Sequence, residues 1–389
     1  MSAGAPAAEA GEDRIPVMIP WLGEEEAQAA AEAVRSGWVA QGPRVAAFEQ
    51  AFAERVGAGH GVAVSSCTTA LHLCLVALGL GPGDEVVVPS LSFIATANAV
   101  RYVGAEPVFA DVDLATGNLT AETIAAVRTE RTRAVVLVHQ GGVPADVESV
   151  RKACAQWDAA VVEDAACAIG ATVAGGPVGA GALLAAWSFH PRKVITTGEG
   201  GMVTTDDAEV AARLRRLREH GMNASAAQRH ASRTPVLEQY LEVGFNYRMT
   251  DIQAAVGLVQ LGRLDEVVAR RRALAARYDA LLAEAAPALR PVRDPAHGTT
   301  TFQSYWVLPQ DGWPQGRDAV LAGLAEAGIS ARRGIMASHL EPAYAGHPHA
   351  ELPVTERITR DSLILPLFHT MTEQQQDRVV AALAREVRR

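Results

Sequence analysis

An alternation between residues 61 and 205 constrains the fold of this chain more than any other feature. Short runs rich in Val and Ala recur at Gly61–Ser65, Glu85–Val88, Pro107–Ala110, Ala134–His139, Ala160–Glu163, Ala185–Phe189 and Met202–Thr205. Helical patterns at Thr68–Leu78, Phe93–Val103, Ala121–Arg128 and Asp146–Trp157 separate several of them. Apolar strands joined by helices must bury both faces of their sheet, which calls for a mainly parallel sheet with right-handed crossovers. Two helices are expected ahead of it, at Glu24–Arg35 and about Arg44–Val56.

After Asp206 the pattern turns helical. No proline occurs from Thr250 to about Ala285, and Ile252, Ala255, Val256 and Val259, then Leu264, Val267 and Val268, fall at helical spacing. Thr250 with Gln253 makes a capping box, so the spacing predicts one long helix over about 250–285. This helix bridges a large domain at 15–265 and a smaller C-terminal α/β domain at 266–389. The smaller unit is expected to hold strands at Tyr305–Leu308 and Ile329–Arg332 and helices at Arg317–Ala327 and Glu373–Val387, with Pro287–Thr300 as a connection. Residues 1–14, small and acidic with no apolar stretch, read as a flexible tail and not a signal peptide. A length of 389 residues, 49% of them hydrophobic, suits one large domain plus a smaller one.

A net charge of −9 without a basic run argues against a nucleic-acid partner. No run of about 18 apolar residues is present, so no membrane span is expected. Cys67, Cys74, Cys154 and Cys167 form no CxxC pair and have no His cluster beside them, so no metal site is expected. So few thiols fit a reducing, cytoplasmic setting.

Ligands of a parallel α/β sheet bind beyond the C-terminal ends of its strands, and four segments put polar groups there. In Val64-Ser65-Ser66-Cys67-Thr68-Thr69, a strand end opens into a helix whose free N–H groups and Thr hydroxyls suit a phosphate; plain N-capping is the alternative. In Val161-Val162-Glu163-Asp164-Ala165-Ala166, a buried strand ends in acids placed to meet a protonated ligand atom, or to cap a helix. Lys193 follows a strand and precedes Thr197-Gly198-Glu199-Gly200-Gly201, whose glycines allow a backbone to approach a ligand closely. Near Arg192 and under apolar cover its pKa is expected to fall; a solvated surface lysine is the alternative. Gly244-Phe245-Asn246-Tyr247-Arg248 is a loop ahead of the long helix, with Phe245 and Tyr247 as possible core residues. Together these parts meet the needs of pyridoxal 5′-phosphate (PLP): an amine for its aldehyde, a carboxylate for its ring nitrogen, N–H donors for its phosphate and an aromatic cover.

The ordered motifs SSCTTALHL, GPGDEVVVPSLSFIATANAV, VVEDAACAIGA, SFHPRKVITTGEGGMVTTDD and EVGFNYRMTDIQAAVGLVQLGRLDE resemble the DegT/DnrJ/EryC1/StrS aminotransferases, as does SGWVAQGPRVAAFE before them. The likeness runs from about Ile15 to the C-terminus. It implies the PLP-dependent transferase fold of type I and a homodimer with shared active sites. By motif match, Lys193 holds PLP as a Schiff base, Asp164 pairs with the pyridine nitrogen, and Phe93 covers the ring; a buried strand-to-helix Phe is the other reading of Phe93. The Cys67 amide, Thr68 and Ser188 bind the phosphate, and Asn246 reaches the phosphate of the neighbouring subunit's cofactor.

Three positions depart from the family pattern. Cys67 stands where Gly is usual, Cys167 where many members carry Gln or His near the PLP hydroxyl, and Ala40 where a hydroxyl is common. Lysine at 193 argues against the dehydrating branch, which has His there. The implied activity is amino transfer from an amino acid, with glutamate expected, to a keto-sugar usually carried on a nucleotide. Amination of a free ketone such as an aminocyclitol precursor, a PLP-binding regulatory protein without turnover, and a nucleotide-dependent α/β enzyme are the rivals. His190 is placed to touch substrate or to pack, and Arg332 and Arg333 to hold a carboxylate or diphosphate or to face solvent.

Overall fold

The computed structural model describes residues 14–224 and 237–388, so the expected tail, Arg14 apart, lies outside the described residues. Helices α1 (Glu24–Arg35) and α2 (Pro43–Val56) precede five strands, β1 (His60–Val64), β2 (Glu85–Pro89), β3 (Glu106–Ala110), β4 (Thr132–Val138) and β5 (Ala160–Asp164). Helices α3 (Cys67–Ala77), α4 (Ala95–Tyr102), α5 (Ala121–Ala125) and α6 (Val147–Gln156) connect them. A hairpin of β6 (Thr172–Val173) and β7 (Gly176–Pro177) leads to β8 (Leu184–Ser188), β9 (Gly201–Thr205) and α7 (Ala208–Leu217).

The main sheet has seven strands in the order β1-β9-β8-β5-β4-β2-β3. The run from β8 to β3 is parallel, while β9 is antiparallel to both β8 and β1. Two strands antiparallel to the same neighbour point the same way, so β1 ends on the edge where β2, β4, β5 and β8 also end. Val64, Gly201 and Ser188 lie side by side there, with Asp164 paired to Ala186 one strand over. All the expected strands of this sheet are present because each is an apolar run that can be satisfied only by burial on both faces.

The predicted helix over 250–285 is instead two helices, α8 (Asp251–Gly262) and α9 (Leu264–Ala285), separated at Arg263 with φ −97° and ψ 0°. The capping box of Thr250 and Gln253 opens α8 as expected. Gly262 weakens the helix at the break, and Arg263 is drawn aside to Glu25 (2.6 Å), Glu26 (2.9 Å) and the Trp21 ring. Asp251, fully buried at the start of α8, accepts from the amides of Gly42, Arg44 and Val45 at 2.8–3.1 Å. It therefore caps α2 from a distant part of the chain.

Beyond α9, a four-stranded antiparallel sheet forms from β10 (Leu289–Pro291), β12 (Tyr305–Pro309), β13 (Arg332–Arg333) and β14 (Leu363–Leu365). It is flanked by α10 (Arg317–Glu326), α11 (Pro353–Asp361) and α12 (Glu373–Val387). The expected connection at 287–300 holds β10 and also β11 (Gly298–Thr299), which joins the β6–β7 hairpin. The strand expected at Ile329–Arg332 is displaced to Arg332–Arg333, because Ile329 forms an isolated parallel bridge with Ile15. One apolar cluster runs from Val87, Val135 and Leu137 of the main sheet to Tyr305, Leu365 and Leu383.

Candidate active site

β5 is apolar up to its tip, and the alternation of side chains along a strand sends its two terminal acids to opposite faces. Glu163 takes Arg151 at 2.5 Å and His139 at 3.1 Å. Burial alone would raise its pKa, but those two partners outweigh burial and hold it below the usual carboxylate range. On the other face, Asp164 Oδ2 accepts from the Thr96 hydroxyl at 2.9 Å and Oδ1 from the Ala166 amide at 3.2 Å. For Asp164 burial prevails and pushes the pKa up, against the Thr96 and Ala166 hydrogen bonds and the charges of Lys193 and His139. Glu163 is thus committed to packing. Asp164 remains a buried carboxyl with strained solvation, the kind of group that gains from a cationic partner.

Lys193 sits in the turn between β8 and β9, which closes through Lys193 N–H to the His190 carbonyl (2.8 Å) and Thr197 N–H to the Phe189 carbonyl (3.0 Å). Its Nζ donates to Cys167 Sγ at 3.1 Å, so it is not a solvated surface lysine. The expected fall in its pKa is not found. Burial pulls the pKa down, but Cys167, Cys67 and Asp164 push it up further, and Arg192 is not among the groups acting on it. The Lys193 amine and the Asp164 carboxyl each stabilise the other's charge, which brings the buried acid and the partly buried amine into one cluster with Cys67 and Cys167.

The glycines after Lys193 also act differently from expectation. A Cβ at Gly201 would lie 2.4 Å from the Ser66 carbonyl carbon and 2.7 Å from Cys67 N, and one at Gly200 would meet Thr197 and Met249. Gly201 lets β9 press against the turn before α3, Gly200 lets the chain pack on Thr197 and Met249, and Gly198, at φ +84°, faces open space.

At that turn the capping reading of the first segment holds for Ser66 and Thr69. Ser66 caps α3 by accepting from Thr69 N–H at 3.2 Å, and the Thr69 hydroxyl answers the Ser66 amide at 3.1 Å. The amides of Cys67 and Thr68 and the Thr68 hydroxyl are left, and they find no partner among the described residues. Two open N–H groups at a helix start form an anion cradle.

Phe93 stays outside α4 and is 64% exposed at the end of β2, so the buried reading does not hold for it. Ser188 ends β8, buried, with one long bond from His190 N–H at 3.5 Å. Asn246 is exposed and pairs by backbone with Glu219; its side chain contacts neither Lys193 nor Asp164 among the described residues. Its loop runs along the end of β1, with Ser65 N–H on the Tyr247 carbonyl at 2.8 Å, and Phe245 stacks on Tyr247 beside His72.

His190 is partly exposed, 4.0 Å from Glu199, rather than packed in the core. Arg333 pairs with Glu341 at 3.3 Å, whereas Arg332 and Arg192 line one small cavity and neither has a carboxylate partner among the described residues. Thr96 went unanticipated, although Ser92 and Thr96 stand one helical turn apart at the start of α4 and share a 2.8 Å bond. Among the described residues no group of three His, Cys, Asp or Glu is arranged to hold a metal ion, and no helix is long and apolar enough to cross a membrane.

The amine, the buried carboxyl and the open helix start match the chemical requirements of PLP. The profile of the DegT/DnrJ/EryC1/StrS aminotransferase family matches residues 20–384. A GDP-perosamine synthase from Caulobacter vibrioides is 40% identical over 371 residues, 95% of this chain and 97% of that protein. The aminotransferase TlmJ from Streptoalloteichus hindustanus is 38% identical and superposes with a TM-score of 0.88 over 96% of this chain and 99% of that one. The Streptococcus pneumoniae protein Spr1654, 25% identical, superposes in its PMP form with a TM-score of 0.90 over 96% of this chain and 99% of its own. Its PLP form gives 0.89. With the match spanning nearly the whole chain, the protein belongs to the DegT/DnrJ/EryC1/StrS aminotransferase family.

Proposed function

We propose that this protein is a PLP-dependent aminotransferase that moves an amino group from L-glutamate to a nucleotide-linked keto-sugar, in deoxyamino-sugar biosynthesis. When bound, PLP supplies an aldehyde carbon that takes up the amine and a ring that delocalises the electron pair left at the donor's Cα. The chain's own groups do the rest. Lys193 holds the cofactor through its amine and, once displaced by the donor, carries the proton from Cα as general base and acid. Asp164 would pair with the ring nitrogen. A buried carboxyl short of solvation gains from a protonated nitrogen beside it, and that pairing would keep the ring cationic.

The Cys67 and Thr68 amides, with the Thr68 and Ser188 hydroxyls, hold the phosphate at the start of α3. Phe93 covers the ring. Arg192 and Arg332, which line one cavity and have no carboxylate partner among the described residues, take the donor's carboxylate. The observation that carries this reading is the meeting of the β5 acid and the β8–β9 amine in one cluster, at the sheet edge where α3 opens with two N–H groups that have no partner among the described residues.

The keto-sugar and its nucleotide are supported by the name of the 40% identical relative, which makes a GDP-linked amino sugar. A homodimer with shared sites is supported by the exposed Leu237, Tyr240, Leu241 and Val243 just ahead of Asn246, an apolar stretch suited to a second subunit. The four unbridged cysteines accord with a cytoplasmic enzyme. The test is a screen of nucleotide-linked keto-sugars with glutamate as donor, read by mass spectrometry of the amino product. At least one is expected to be converted. Turnover of free cyclitol ketones alone would move the substrate class, and no transfer to any ketone would remove the enzyme.

A further inference from the structure

A lysine that is released from its cofactor in mid-reaction needs somewhere to go. Its four-carbon chain is rich in rotamers, and a freed amine that wanders cannot return a proton to the reacting carbon. The charged partner nearest in chemistry is Asp164, which already accepts from the Thr96 hydroxyl at 2.9 Å and the Ala166 amide at 3.2 Å and makes no hydrogen bond with that amine among the described residues. The atom that Lys193 Nζ meets is Cys167 Sγ, at 3.1 Å, the one hydrogen-bond partner of that amine among the described residues. Cys167 lies three residues past Asp164, in the turn that follows β5, so one short segment presents both groups to the site.

We propose that Cys167 is a positioning residue that receives the Lys193 amine whenever it leaves the cofactor and holds it beside the reacting carbon. The inference rests on Lys193 being the cofactor lysine. Sulfur suits the task because it is a weak acceptor: it orients the N–H without the tight closed ion pair that a carboxylate would make, so the amine leaves again when the cofactor returns. The division of partners also protects the ring-nitrogen site. With the amine docked on sulfur, Lys193 does not occupy the Asp164 carboxylate. Cys167 favours the protonated amine against the pull of burial, so the docked state is also the one that stores the abstracted proton. No redox change is involved: the proton passes from the donor's Cα to Nζ and back to the cofactor carbon, while the sulfur only accepts a hydrogen bond.

The test uses Cys167→Ala and Cys167→Ser beside the wild type and Lys193→Ala. Cofactor-free protein is mixed with PLP across a pH series, and capture is followed by the growth of visible absorbance. Only the unprotonated amine reacts, so loss of the sulfur is expected to move the pH midpoint of capture down by about one unit in Cys167→Ala. Cys167→Ser, which keeps a hydrogen bond but no ionisable thiol, is expected to move it by less. In the holoenzyme, the glutamate half-reaction of Cys167→Ala is expected to slow about tenfold at saturation, with the half-saturating glutamate concentration unchanged and Cys167→Ser restoring part of the rate. An unmoved midpoint in both variants overturns the proposal, as does a loss confined to half-saturation. If Lys193→Ala still captures PLP normally, the assignment of the cofactor lysine has failed; if it does not, while both Cys167 variants behave as wild type, only the role of Cys167 has failed.

Discussion

The two acids at the tip of β5 are adjacent and chemically similar, and they illustrate how far residue identity is from residue role. Glu163 is neutralised by Arg151 and His139, whereas Asp164 has hydroxyl and amide donors and a raised pKa. Raised carboxyl values carry a stability cost with a definite sign. Below the ordinary value of 3.8 the group is protonated in both folded and unfolded chains and costs nothing. As pH rises through the window above that value the unfolded chain ionises first, so stability falls until the folded pKa is passed, and the penalty then persists. Asp164→Asn removes the penalty. Without cofactor, this variant is expected to have a higher Tm than the wild type at neutral pH and an equal one near pH 3, while losing at least about a hundredfold in transamination. Thermal melts at two pH values and one rate measurement check this; a lower Tm at neutral pH would contradict it. A signal that reading the motifs passed over also belongs here. The chain has just two lysines, Lys152 and Lys193, in a sequence otherwise furnished with arginine. Arginine does not lose its proton, so a lysine kept at one inward position marks where a free amine is needed; Lys152 lies exposed on α6.

Elements of the main sheet were legible because a buried parallel strand leaves no choice of residue: Val86-Val87-Val88 and Val135-Val136-Leu137 have no polar face to misread. Helix α11 was missed although its nine residues are amphipathic, but most of the elements missed have no period to detect. β6, β7 and β11 have two residues each, and β10 and β14 three, so their pairing is decided by distant partners. The break at Arg263 was hidden for a related reason: apolar spacing continues across it, and its cause is the acidic first turn of α1, more than 200 positions away. The same non-locality governs the start of α2, whose amides are capped by Asp251 of α8. Asp251→Ala leaves three donors unanswered, two of them buried, and is expected to destabilise the fold by about 3 kcal/mol. Asp251→Asn, which keeps one acceptor, is expected to cost less. Urea unfolding distinguishes the two, and equal losses would show that the carboxylate's paired acceptance is not what holds α2.

At the scale of the molecule, the site is a product of strand direction. The open start of α3 follows β1, Phe93 follows β2, Asp164 ends β5 and Lys193 follows β8, and these lie on one edge because β9 runs against both of its neighbours. The apolar cluster shared by the two sheets then fixes the second sheet, with Arg332 on β13, where its guanidinium shares a cavity with that of Arg192. The account therefore reduces to whether the amine after β8 and the acid ending β5 serve one cofactor. The direct measurement is borohydride reduction of the PLP-loaded protein, followed by peptide mass spectrometry of the wild type and of Asp164→Ala. With two lysines in the chain the outcome is close to binary. The phosphopyridoxyl mass is predicted on Lys193 in the wild type and in lower yield on Lys193 in Asp164→Ala, whose ring nitrogen has lost its partner. Label on Lys152, or a yield on Lys193 indifferent to Asp164, would contradict the account.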